Sequence, residues 1–310
     1  MTPNRPTTAC LINHYNYGAF IGDAVRGALS QTIPFDEIIV VDDGSSPEHL
    51  ARVREACGSD PRVKLIEKPN GGQLSCFNVG FERSTADIVF FLDADDHWDP
   101  GYLAAVLDVY ERRKDVSFVM AARRVCYPDG RTEEQRYSDR DLGYSVVLCH
   151  RYPSWIGANT SCCSARREVL ACFLPFEERG GWRTCADECL VYGTSLAGAR
   201  KFALGAVHVN YRVHGSNAWH GRHQSASDLL RRRLEAMRLL ESIRVKLSLP
   251  ADLGVLAPIE FRTRGPTSWR DFRTYAEVVL NSGMGMLGKL GALLNLALTH
   301  WFGRKREHRA

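Results

Sequence analysis

No GxGxxG follows the first apolar segment of this 310-residue chain, and no GxxxxGK[ST] occurs anywhere in it. Two common ways of seating a nucleotide phosphate on a helix N-terminus are thereby excluded. CxxC spacing is missing too: of the ten cysteines, Cys162 and Cys163 are adjacent and Cys185 and Cys189 lie four apart, which is no zinc framework. They read as reduced thiols, mostly small buried side chains. The opening MTPNRPTTAC has no apolar stretch ahead of the first strand candidate, so no secretory leader is expected and the cytosol is the default location. A large excess of charge of one sign is lacking: a formal +4 without an aromatic-basic RNA motif argues against a nucleic-acid partner.

What is present is an ordinary globular composition, 45% hydrophobic and 25% charged, in a chain long enough for one large domain with an appendage. Short β-rich apolar runs occupy 9–13, 37–41, 63–67 and 87–92. Between them, AFIGDAVRGALSQ, PEHLARVREAC and GGQLSCFNVGFERS repeat apolar residues three and four apart, the helical spacing. The pattern βαβαβαβ predicts a mostly parallel α/β sheet with helices on both faces. Ligands of such sheets bind beyond the carboxyl ends of the strands. Those ends carry Asn13, His14, Tyr15 and Asn16 on the first, Asp42 and Asp43 on the second, and Asp93, Asp95 and Asp96 on the fourth.

The stretch FFLDADDHWDP places four aspartates within seven positions at the tip of a buried strand. A nucleotide diphosphate bound on this rim needs its charge handled without glycine loops, and a divalent cation held by Asp93-Ala94-Asp95 is the simplest means. An isolated DxD is weak evidence, since such aspartates also make turns and caps. Asp99-Pro100 reads as a helix cap followed by proline at the first helical position.

The order and spacing of LINHYNYGAFIGDAVRGALSQTIPFDEIIVVDDGSSPE and NGGQLSCFNVGFERSTADIVFFLDADDHWDPGYL resemble the family 2 glycosyltransferases of the GT-A fold, closely over about 9–104 and more loosely to about 219. The resemblance implies an inverting, Mn2+- or Mg2+-dependent transfer of a sugar from a nucleoside diphosphate to a hydroxyl of a glycan or lipid-linked acceptor. Asp43 is implied as acceptor for a nucleobase imide, with Tyr15 lying against the base and Asn13, Asn16 and Asn78 in the same nucleotide-sugar site. A uracil or thymine nucleotide is favoured. Asp93 is implied to contact ribose and donor sugar, Asp95 to bind the metal, and Asp96 to lie beside the sugar or just behind the residues that touch it. TCADECLVYGTSLAG fits the segment that supplies the general base, which the spacing to Gly198 places on Asp187 with Glu188 as the alternative. VNYRVHGSNAW implies His214 as a further metal or diphosphate contact on a loop able to close over the donor.

Departures are visible. Ala186 stands where the family has the first acid of a pair, and Phe77 where many members carry arginine before the asparagine. The polymerising QxxRW motif is absent, implying a non-processive enzyme. A catalytically silent nucleotide-sugar-binding module of a glycan-assembly complex is the rival reading, and a nucleotidyltransferase the weaker one. Trp155, Asn159 and Trp182 are candidates for lining the sugar pocket.

The loosely patterned 116–222 is read as an acceptor half following a nucleotide-binding half over 1–115, and 131–165 as mostly irregular. Residues 223–310 read as a C-terminal helical extension with helices near 225–247, 268–282 and 284–303. The last precedes RKREHR; Lys289, Asn295 and several glycines weaken it as a membrane span. Two readings stay open, a helix packed on the catalytic domain or one lying on anionic lipid at the cytoplasmic face.

Overall fold

A computed structural model describes residues 5–58, 60–177, 184–215, 217, 225–265 and 267–307. The four apolar runs form β1 (Thr8–His14), β2 (Glu37–Asp42), β3 (Val63–Glu67) and β4 (Ile88–Asp93). They lie parallel in the order β3-β2-β1-β4. Alternate residues enter two cores: Leu11, Ile39, Val89 and Phe91 face one side, Ile12, Ile38, Val40 and Phe90 the other. Burial on both faces is why these strands read as continuous apolar runs.

Helices α1 (Ile21–Leu29) and α2 (Pro47–Cys57) cover one face, and α3 (Gln73–Arg83) the other. Phe77 on α3 is buried edge-on to Phe91, with ring centroids 5.0 Å apart. The position without the family's arginine therefore belongs to the core.

The chain continues through β5 (His97–Trp98), α4 (Tyr102–Arg112), β6 (Phe118–Cys126), β7 (Thr132–Gln135), β8 (Arg140–Gly143), α5 (Val146–Arg151), β9 (Cys163–Arg166), α6 (Arg167–Leu170), α7 (Asp187–Leu196) and β10 (Lys201–Arg212). The sheet extends as β4-β9-β6-β10-β5, with β7 on β6 and β8 on β10. Short β9 lies antiparallel to both β4 and β6, so β1, β2, β3, β4, β6 and β10 all point the same way. Residues 131–165 are thus more regular than expected. TEEQ of β7 and RDLG of β8 lack apolar alternation and form by pairing with the longer strands beside them.

Asp99 is also not the cap expected of it. Gly101 occupies the N-cap of α4, and the Asp99 carboxylate accepts instead from Asn210 (2.8 Å) and Arg124 (3.2 Å), tying this turn to β10 and β6. Seven of the ten cysteines are buried.

Four C-terminal helices follow: α8 (Ala226–Lys246), α9 (Ala257–Thr263), α10 (Trp269–Leu280) and α11 (Met286–Glu307). Ser225–Asp228 and Ser268–Asp271 form capping boxes that start α8 and α10. Ala236, Leu239, Leu240 and Ile243 of α8 join the core around α7. The other three share a smaller core with α5, built on Val147, Leu148, Phe261, Tyr275 and Leu296. There the buried Glu260 carboxylate accepts the Val147 and Leu148 N–H groups, at 2.7 and 3.2 Å, and the Tyr275 hydroxyl at 2.8 Å. α11 packs on the body along one face, and no described helix is long and apolar enough to cross a membrane.

Candidate active site

Parallel pairing sets Asn13 of β1 beside Asp93 of β4, at the strand ends that border a cavity of about 290 Å³. Asn13, Tyr15, Asp43, Asp93, Asp95 and Asp187 all line it, joined by Gln73, Asn159, Thr160 and Tyr211. Tyr15 is 48% exposed, so its ring is a platform at the rim. The buried Asn13 Oδ1 has no hydrogen-bond partner among the described residues, which leaves an acceptor for a ligand to satisfy.

The aspartates of VVDDGS have separate jobs. Asp42 accepts from buried His14, whose Nδ1 is 2.8 Å away. The Tyr17 N–H donates to His14 Nε2, so the proton of a neutral ring sits on Nδ1. Burial acts to raise the Asp42 pKa, but hydrogen bonds from His14 and Ser45 outweigh it and hold the carboxyl below its ordinary range. Asp43 turns the other way and gathers the next loop: it accepts Gly71 N–H (2.8 Å), Gly72 N–H (2.7 Å), the Asn70 amide and the Lys68 ammonium. Gly44 makes that approach possible, with φ +73° and a would-be Cβ only 2.8 Å from Asn70 N.

Carboxylate oxygens of Asp93, Asp95 and Asp96 all lie within 4.8 Å of one another. Burial and then mutual repulsion, chiefly from Asp95, raise the Asp93 and Asp96 pKa values well above the ordinary carboxylate range. Such a cluster suits a divalent cation, which removes the repulsion and prefers oxygen ligands. His214 Nε2 lies 2.9 Å from Asp95 Oδ2, with its ring against Phe20 at 4.7 Å between centroids. An imidazole beside carboxylates fits Mn2+ as well as Mg2+. Asp96 is not on the cavity wall; it accepts the Ser161 hydroxyl (2.6 Å) and the Arg212 N–H (2.9 Å), bracing β4 against the start of β9 and the end of β10.

Asp187 opens α7, whose residues Cys189 to Leu196 are all buried. Gly193 makes that depth possible, since a Cβ there would meet the Phe173 ring at 2.4 Å. Burial, followed by the charge of Glu188, pushes the Asp187 pKa up to about 7. Glu188 lies off the cavity, bonded at 2.7 Å to Arg232 of α8.

Sequence reasoning passed over Gln73. Its amide donates to Asp93 (2.7 Å) and accepts the Ala186 N–H (2.9 Å), bridging the β4 tip to the residue before Asp187. Its place directly after Asn70-Gly71-Gly72, at the first position of α3, was the available signal.

Two expected residues face elsewhere. Asn16 adopts φ +56° and accepts the Ser46 N–H, shaping the turn after β1. Asn78 pairs both ends of its amide with Phe176 backbone, at 2.9 and 3.0 Å, and so anchors the chain ahead of the cavity wall. Trp155 is half exposed against Tyr192, Trp182 lies outside the described residues, and so does much of the segment after His214.

A mostly parallel sheet ending in clustered carboxylates over a nucleotide-sized cavity defines a GT-A-type transferase architecture. The sequence model of Glycosyl transferase family 2 matches residues 10–174, and the chain belongs to that family. An uncharacterized glycosyltransferase of Nostoc sp., alr2836, is 34% identical over 213 residues, 67% of this chain and 65% of that protein. Chondroitin synthase of Pasteurella multocida is 30% identical over 151 residues, 47% of this chain but 16% of the synthase. The chain thus spans less than two thirds of the length of these relatives. Among solved structures, S. aureus TarS 1-349 in complex with UDP-GlcNAc shares the fold with a TM-score of 0.56 at 15% identity, over 95% of this chain and 72% of that one.

Proposed function

We propose that the cavity binds a nucleoside diphosphate sugar, uridine or thymidine being the favoured nucleoside, and transfers its sugar with inversion, one residue per encounter, to a hydroxyl of a glycan or lipid-linked acceptor. The observation that carries this reading is the convergence on one cavity of two strand-tip carboxylates and a buried Asp187 whose pKa is raised to about 7. That value suits a general base near neutral pH. The UDP-GlcNAc complex of TarS supports a uridine donor.

In this reading Tyr15 supports the base and Asp43 accepts its imide N–H; of the donors now on Asp43, the flexible Lys68 side chain is the one an imide would displace. Asp93 accepts ribose and sugar hydroxyls. Asp95, with His214, would hold Mn2+ or Mg2+, which when bound supplies Lewis-acid stabilisation of the diphosphate. Asp187 takes the acceptor proton as the acceptor oxygen bonds to the anomeric carbon. The bond from that carbon to the diphosphate oxygen breaks, and the nucleoside diphosphate leaves with the electron pair. Glu188, held by Arg232, is left as a charge that tunes Asp187.

The transfer machinery is assigned to 1–222, with the nucleotide over about 1–115 and the acceptor over about 116–222. Residues 223–310 act as an extension, and the enzyme works in the cytoplasm or at the cytoplasmic face of a membrane. The test is a thermal-shift screen of uridine, thymidine, guanosine and cytidine diphosphate sugars with and without Mn2+. A shift needing both the cation and a uridine or thymidine donor is expected; no shift with any donor overturns the reading.

A further inference from the structure

Helix α11 buries Leu296 and His300 against the helices beneath it, whereas Leu287, Leu290, Leu294, Leu298 and Trp301 are 48–86% exposed. Their spacing of three, four, four and three residues puts them on one side of the helix. The exposed Trp269 of α10 joins the same end, its ring 4.5 Å from that of His300. Between residues 286 and 302 Lys289 is the sole Lys, Arg, Asp or Glu, and Arg304-Lys305-Arg306 follow in the sequence. An apolar stripe of this length on a monomer surface calls for an occupant.

We infer that this face lies in the interfacial layer of an anionic lipid bilayer, parallel to its plane. Charge selects that occupant. Residues 223–310 carry 15 Lys and Arg against eight Asp and Glu, a net +7, while residues 1–222 sum to −3. A second copy seated on the same face would bring the same excess of positive charge. A surface of acidic headgroups brings the opposite one, and aliphatic side chains with tryptophan at one end match the boundary between headgroup and acyl chain. No described helix is long and apolar enough to cross a membrane, and a helix with one apolar side is suited to resting on the bilayer. This inference goes beyond the transfer reaction and stands or falls without it.

The test is co-sedimentation of the full chain with vesicles of phosphatidylcholine alone and of phosphatidylcholine with one quarter phosphatidylglycerol, without sugar donor. Binding is expected on the anionic vesicles, reduced several-fold by 0.5 M salt, and weak on the neutral ones. The double variant Leu290→Glu/Leu294→Glu is expected to lose at least tenfold in partitioning while keeping the wild-type melting temperature, since both side chains are exposed. Equal partitioning of variant and wild type overturns the proposal. So does a wild-type dimer in light scattering that the same variant dissolves without any change in vesicle binding.

Discussion

The two sides of the cavity are built differently. On the strand side, Asn13, Asp43, Asp93 and Asp95 sit at or just beyond the ends of hydrogen-bonded parallel strands, within the first hundred residues. On the α7 side, Asp187 is placed by side-chain contacts to residues far away in sequence, through Gln73 at Ala186 and Arg232 at Glu188. A backbone ladder fixes position without help, whereas a side-chain network can be adjusted one contact at a time. Substitution should therefore be all-or-none on the first side and graded on the second.

The largest effect tests the strand side. Asp95→Ala, or removal of divalent cations with a chelator, is expected to lower sugar transfer by about 10³-fold or more, because several kcal/mol of charge stabilisation is lost. Full activity in the chelated enzyme, measured by release of nucleoside diphosphate, would remove the cation from the proposed mechanism.

Asp187→Asn comes next, with an expected loss of about 10²–10⁴-fold in turnover while donor-induced thermal shift persists. Loss of both together would point to collapse of α7 rather than loss of a base. Stability gives an independent sign. With its folded pKa near 7, above the ordinary value, Asp187 binds more protons folded than unfolded, so stability falls as pH rises from about 4 to 7. The Asn variant is expected to melt above the wild type at pH 8, by on the order of 1–3 kcal/mol, with the gap closing toward pH 5.

The same contrast governs what could be read from sequence. Strand tips were legible because burial on both faces writes a strand as an unbroken apolar run, and its polar end then marks the rim. Asp93 and Asp95 followed at once. β7, β8 and β9 left no such trace, since four-residue strands pairing with longer ones need no apolar period of their own. Asn16 and Asn78 sit amid legible motifs yet serve a turn and an anchoring contact, because motif membership does not say which way a side chain points. Gln73 went unread for the converse reason: its role comes from partners 20, 87 and 113 residues away.

Gln73→Leu keeps the approximate length of the side chain and removes its hydrogen bonds to Asp93, Thr160 and Ala186. If the amide only spaces Asp93 from Asp187, kcat is expected to fall about 10- to 100-fold while the donor KM changes by less than about threefold, as a misplacement of reacting groups does. A rise in KM with unchanged kcat would instead make Gln73 a donor contact.

The smallest effect is the most specific. Glu188 raises the Asp187 pKa and Arg232 lowers it. Removing the guanidinium with Arg232→Met leaves the Glu188 charge uncompensated, so Asp187 keeps its proton to higher pH. The acid limb of the turnover profile should move upward, slowing the variant below about pH 7 and leaving it near wild type at pH 9. The Arg232 side chain is 32% exposed, so solvent screening should limit the displacement to less than about one pH unit. Arg231→Met, one position away but paired with Asp228 and 70% exposed, is the control expected to leave the limb in place. If both variants shift it equally, net charge on α8 rather than the Arg232–Glu188 contact sets the base, and the α7 side is tuned from a distance.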